Sequence, residues 1–244
     1  MSAYHKGDVL RMCETLNFLK DYRDDVFFVS INDVDKIDGN VPKLWLDVIS
    51  ESNRVDRVKK LLSVWEQYIG EYLNCTIAYL RENLEDVAII GYDGVFSLLY
   101  TIKNSNNDVV YYEGRVPYSF FDNSDLEKAW DKIPLSIKCF YEQLHNGFFE
   151  FTSEAMGLVP FEFVTYLGDD DLEWGILDEL IEPIQIDLTS TFGFFSNGAG
   201  SYVAIDYTNC ANGNATFWSA KMQPKYNVSF WRYVDEWFCI GFEV

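Results

Sequence analysis

Two histidines, five cysteines and 39 carboxylates are the groups in this 244-residue chain with the capacity for acid–base, nucleophilic or metal chemistry. A histidine-based triad or metal site would need His145, because His5 falls in an N-terminal tail. His145 sits in His145-Asn146-Gly147, where a helix is expected to stop. It therefore reads as a cap or a polar surface residue rather than a catalytic base. Zinc-protease, nucleophile-elbow, Walker and dinucleotide-binding patterns are all missing from the sequence. Gly198-Ala199-Gly200 is too short to cradle a phosphate and suits a hairpin turn. The cysteines (Cys13, Cys75, Cys139, Cys210 and Cys239) lie far apart without a Cys-x-x-Cys pair. That dispersal predicts reduced, mostly buried thiols in a reducing compartment.

The carboxylates are more informative by position than by number. Asp169, Asp170, Asp171 and Glu173 would stand at the start of a calcium loop, with acids at its first, third and fifth positions. Its sixth position would be Trp174 instead of Gly and its twelfth Leu180 instead of Glu, so no metal site is expected. Pairs such as Asp178 and Glu179 occur in any acidic protein and are not a glycosidase signature. No catalytic residue, metal or cofactor is therefore assigned. What stands out is that no Lys or Arg occurs between Lys138 and Lys221, a span containing thirteen Asp and Glu. A solvated face would explain this; so would a surface complementary to a basic partner. Asp169, Asp170, Asp171, Glu173, Trp174, Asp178, Glu179 and Glu182 are the candidate partner-binding residues. Trp174, with Tyr166 and Phe163 outside that set, is a candidate aromatic anchor.

The bulk composition sets the frame for that surface. The chain is 48% hydrophobic and 17% aromatic, enough for a substantial core, and carries a net charge of −20. Residues 1–120 contribute −6 and residues 121–244 contribute −14. Such a charge disfavours direct binding of nucleic acid or anionic lipid. No run approaches the about 18 apolar residues that a membrane span needs, and the N-terminus has no signal-peptide core, so a cytoplasmic protein is expected.

Several elements must position the acidic tract. Val9–Tyr22 carries a helical stripe, Val26–Ile31 reads as a short strand and 33–42 as a loop. The strongest periodicity predicts a single helix from Val55 to Leu84, with Gly70 as a bend or close contact. Val87–Ile90, the turn 91–94 and Val95–Ile102 predict a hairpin, extended by a turn at 104–108 and a strand from Val109. A hinge is expected near 120–127, then a helix capped by Ser124 or Asp125. A short helix over 134–144, a strand at 148–151, a hairpin within 191–207 and a closing helix over 230–238 complete the pattern.

The segment 133–242 resembles the SUKH superfamily, which includes bacterial immunity proteins and fungal cell-wall assembly regulators. The likeness rests on Ile133-Pro134 before a short helix, Tyr141 with Asn146-Gly147 ending it, and the strand Phe148–Phe151. It continues through Gly157-Leu158-Val159-Pro160, the hairpin Ser196–Gly200, Tyr202–Asp206, and Ser229-Phe230 with Phe238 in the closing helix. It implies an α+β fold, a mixed and mainly antiparallel sheet flanked by helices, over residues 121–244. Residues 1–120 are then an N-terminal helix-plus-meander region. The resemblance also implies a non-enzymatic immunity protein that neutralises a cognate toxin, and the acidic tract adds the expectation of a basic contact surface on that toxin, such as the groove of a nuclease or another enzyme directed at nucleic acid. A non-catalytic regulatory scaffold is the alternative. An uncharacterised hydrolase is a third, and it predicts buried titratable residues in a cleft.

Overall fold

A computed structural model describes residues 6–30, 41–117 and 123–244. His5, most of the loop at 33–42 and the proposed boundary at 120–121 lie outside the described residues. Among the described residues, eleven strands, paired antiparallel throughout, form one sheet. β1 (Phe27–Phe28) lies on the edge of β2 (Leu84–Tyr92), which forms a hairpin with β3 (Val95–Lys103), and β4 (Val109–Arg115) follows. The first turn is Asp93-Gly94 with φ of 48° and 76°. Two successive positive φ values give the twist of a two-residue hairpin loop, and Asp-Gly adopts them at low cost. The meander expected from the alternating apolar residues is therefore present.

The second half continues the same sheet. β5 (Phe148–Glu150) pairs with β4, with Gly114 opposite Phe148. Next come β6 (Met156–Leu158), β8 (Thr191–Asn197), β9 (Ser201–Asp206), β10 (Asn214–Ser219) and β11 (Lys225–Ser229), while β7 (Thr165–Tyr166) shares an edge of β8 with β6. The protein is thus α+β with an antiparallel sheet flanked by helices. Its principal core mixes side chains from both halves, such as Trp65 and Tyr100 with Phe148 and Phe238.

The helices are α1 (Lys6–Lys20), α2 (Lys43–Ile49), α3 (Arg54–Ile69), α4 (Asn74–Asn83), α5 (Ser124–Ala129), α6 (Leu135–Cys139) and α7 (Phe230–Gly241). Two sequence expectations need correction. The cap of α5 is Asn123, whose Oδ1 accepts from the Leu126 N–H at 3.0 Å. The long helix expected over 55–84 is α3 and α4, separated by a break at 70–73 where Leu73 leaves the helical region (φ −115°, ψ 48°) and is fully buried. Apolar periodicity runs through the break because both helices bury the same kind of face, so periodicity alone cannot show it.

The break is stabilised from far along the chain. Leu73 has no side-chain acceptor for the N–H groups at the start of α4, which lack partners within the helix. Asp235 of α7 supplies one, accepting from the N–H of Cys75 at 3.0 Å and of Thr76 at 2.7 Å. A carboxylate at a helix N-terminus satisfies orphan donors and opposes the helix dipole. Its charge also pushes the Cys75 thiol pKa up. Replacing Asp235 by Ala is expected to cost about 2 kcal/mol, read as a shifted urea midpoint with an unchanged slope.

Successive residues of a strand face opposite ways, and the packing follows that rule. Leu98 and Tyr100 of β3 join the principal core under α2, α3, α4 and α7, whereas Leu99 joins a second cluster with Ile90, Tyr111 and Phe151 beneath Leu19 of α1. In the second half, Val203 and Ile205 face the principal core. Ala204 and Trp218 face the other way, into a third cluster covered by residues 167–188.

Candidate protein-binding face

The segment that carries the candidate residues is mostly irregular, with a single 3-10 turn at Gly175–Glu179 before the one at Leu188–Ser190. Ile176 and Ile186 are its buried attachments, seated on Ala204 and Trp218. Trp174 is half-buried: its indole N–H donates to the Leu167 carbonyl at 2.8 Å and its ring lies 5.7 Å from that of Trp218. Trp174 fastens the segment to the sheet, and Tyr166 is similarly engaged, stacked on Phe192 with its hydroxyl donating to the Thr189 carbonyl. Phe163 is exposed, with the Arg115 guanidinium 5.7 Å from its ring centre.

Asp169, Asp170, Asp171, Glu173, Asp178, Glu179 and Glu182 are all exposed. Asp169 Oδ1 accepts from the Asp171 N–H at 3.0 Å, and the other six acids between Lys138 and Lys221 each have a partner of their own. Glu154 and Glu162 are paired with arginines from the first half: Arg23 meets Glu154 at 2.6 Å and Arg115 meets Glu162. Glu142 accepts from the Trp130 indole at 2.8 Å, and Glu150 takes the N–H and hydroxyl of both Thr152 and Ser153. Asp187 caps the turn at Leu188 through Thr189. Asp206 is buried; although burial opposes it, hydrogen bonds from Ser190 and Thr208 hold its carboxyl below the usual range. Among the described residues, the seven acids of 169–182 form no ion pair. Arginines from the first half thus fill the gap in basic residues at Glu154 and Glu162, and neutral donors hold Glu142, Glu150, Asp187 and Asp206.

A second group of charges was not anticipated. Glu113, with 0% exposure, accepts from the Tyr92 hydroxyl at 2.7 Å, the Ser97 hydroxyl at 2.6 Å and Arg115 Nε at 3.3 Å. Arg115 continues to Glu162 and Glu154, and Arg23 joins them over the Phe151 ring. Charge–charge attraction to Glu113 holds the Arg115 guanidinium protonated despite burial. Buried titratable residues of the kind the hydrolase reading asks for are therefore present. In this conformation, however, the oxygens of Glu113 are enclosed and occupied by neighbouring donors. Sequence reading missed the group because Tyr111, Glu113 and Arg115 alternate along β4 in the way of a solvent-facing row. The second layer above that face comes from distant residues.

His145 is a further correction. It is fully buried, not a surface residue, and is ringed by Trp45, Trp65, Phe140 and Phe148 at centroid distances of 5.5–6.3 Å. The Trp65 indole donates to the Tyr100 hydroxyl at 2.9 Å, and that hydroxyl shares a hydrogen bond with His145 Nε2 at 2.6 Å. Burial lowers the His145 pKa to about 3. Gly114 makes the space: a Cβ there would lie 2.5 Å from Nδ1. A glycine inside a strand marks such close approaches, and that was the available signal.

The fold and the face together define an α+β protein presenting an unpaired acidic segment pinned to the outer surface of its sheet. Compared with protein-family models, curated proteins and solved structures, the chain matched none. No described helix is long and apolar enough to cross a membrane.

Proposed function

We propose that this protein is an immunity protein of the SUKH type, which binds a cognate toxin in the cytoplasm and blocks its active site without catalysing a reaction. The observation that carries the reading is the set of seven exposed, unpaired carboxylates on 169–182, held against a rigid sheet by Trp174, Ile176 and Ile186. Such a face attracts a basic surface over long range and accelerates encounter. The resemblance of 133–242 to SUKH proteins supports the choice of partner. A toxin acting on nucleic acid has the basic groove that this charge complements.

Co-expression with the product of the adjacent upstream gene tests the function, scored by rescue of growth and by co-purification. For the purified pair, the association rate is expected to fall roughly tenfold between 50 and 500 mM salt as screening shortens the range of attraction. Neutralising Asp169, Asp170, Asp171 and Glu173 to their amides should reproduce that fall at low salt. A rate indifferent to both changes rules out electrostatic capture by this face. Co-purification without growth rescue would favour the scaffold reading.

A further inference from the structure

The acidic segment also exposes apolar side chains. Its inward positions are filled by Trp174, Ile176, Leu180 and Ile186, yet Leu172, Leu177, Ile181 and Ile184 remain exposed, Ile181 at 83%. Their placement is not left to a floppy chain. The Gln223 side chain grips the backbone beside Ile181: its Oε1 accepts from the Ile181 N–H at 3.1 Å and its Nε2 donates to the Glu179 carbonyl at 2.8 Å. Met222, half exposed, immediately precedes Gln223 in the chain.

We infer that Leu177, Ile181, Ile184 and Met222 are the contact centre of the acidic face, and that they receive a cationic protein segment bearing an apolar stripe. This rests on the reading of 169–182 as a binding face and specifies its partner. Exposed apolar side chains interspersed with charge suit a protein interface, which has a dry centre and a polar rim. A backbone already fixed by Gln223 lowers the ordering cost of binding. Charge selects among occupants. A second copy would bring the same seven carboxylates against themselves, and a phosphate backbone or anionic membrane would be repelled. A free cation would leave the methyl groups unused. A Lys- or Arg-rich protein segment with an apolar stripe satisfies both components.

Two synthetic peptides test this: a 14-residue helix of Leu and Lys with every Leu on one face, and a Lys and Gln peptide of equal length and charge. The Leu/Lys peptide is expected to bind at least ~tenfold more tightly and to shift the Ile181 methyl resonance. In the double variant Ile181→Ser with Leu177→Ser the two peptides should bind alike. Both positions are exposed, so the fold is retained. Equal binding of the two peptides to the unaltered protein, or undiminished preference in the double variant, overturns the inference. If the double variant still neutralises the upstream protein as well as the unaltered chain does, the contact centre is wrong and the inhibitor reading stands. If the peptides discriminate as expected but the upstream protein is not bound, the inhibitor reading falls and the contact centre stands.

Discussion

Replacing Glu113 by Leu is expected to destabilise the protein by about 3–5 kcal/mol, the range for breaking a buried charge pair from one side. Arg115, only 8% exposed, would keep its charge with its closest enclosed partner gone. Tyr92 and Ser97 would lose the acceptor of their hydroxyl hydrogen bonds at the same time. The double variant Glu113→Leu with Arg115→Met should recover a large part of the loss, because no unpaired charge then stays inside. Glu162 and Glu154, which also contact Arg115, retain enough exposure to be hydrated. Urea unfolding of the two single variants and the double variant forms a cycle, and a coupling energy of about 2 kcal/mol or more is the expected outcome. Additive losses would mean that the two residues act independently despite their contact.

The second large effect is a dependence on pH. The His145 pKa is about 3 in the folded protein against 6.5 for an ordinary histidine. Below 6.5 the unfolded chain therefore takes up a proton that the folded chain refuses, and stability falls as pH falls. The contribution is complete above 6.5 and is lost progressively toward about 3, at about 1.4 kcal/mol per pH unit. At pH 5 the expected penalty is about 2 kcal/mol. Many carboxylates titrate lower still, so the histidine term is read as a difference. Between pH 7.5 and 5.0, His145→Gln should lose less stability than the unaltered protein. In the unaltered protein the His145 C2–H resonance should stay in place over that interval. A resonance that titrates near 6.5 would mean that water reaches the ring.

The elements legible in the sequence are those whose side chains obey one local rule. The β2–β3 hairpin follows from alternating apolar residues on either side of Asp93-Gly94. The closing helix α7 follows from Phe230, Trp231, Val234 and Phe238 at helical spacing. The exposed acids were legible as well, since carboxylates in series without basic residues seldom fold inward. What escaped depended on chain segments far apart. Asp235 caps a helix 159 positions away, Glu113 is roofed by residues before and after it, and Gln223 holds Glu179 and Ile181 from 42–44 positions downstream. His145 looked exposed because polar triplets commonly end helices at the surface. Its burial depends on Gly114 and on four rings contributed by separate elements.

The order of pairing in the sheet carries a kinetic consequence. From β1 to β6 and again from β8 to β11, hydrogen-bonded neighbours follow the order of the strands along the chain. Each of the hairpins β2–β3, β3–β4, β8–β9 and β9–β10 closes only a short loop, so their formation is rapid. The bond between Asp235 and the start of α4 is different, because it must bring together residues 159 apart. It is expected to form after the folding barrier has been crossed. Asp235→Ala should then leave the refolding rate nearly unchanged and accelerate unfolding, so that the lifetime of the native state is set by a clasp the nascent sheet does not need.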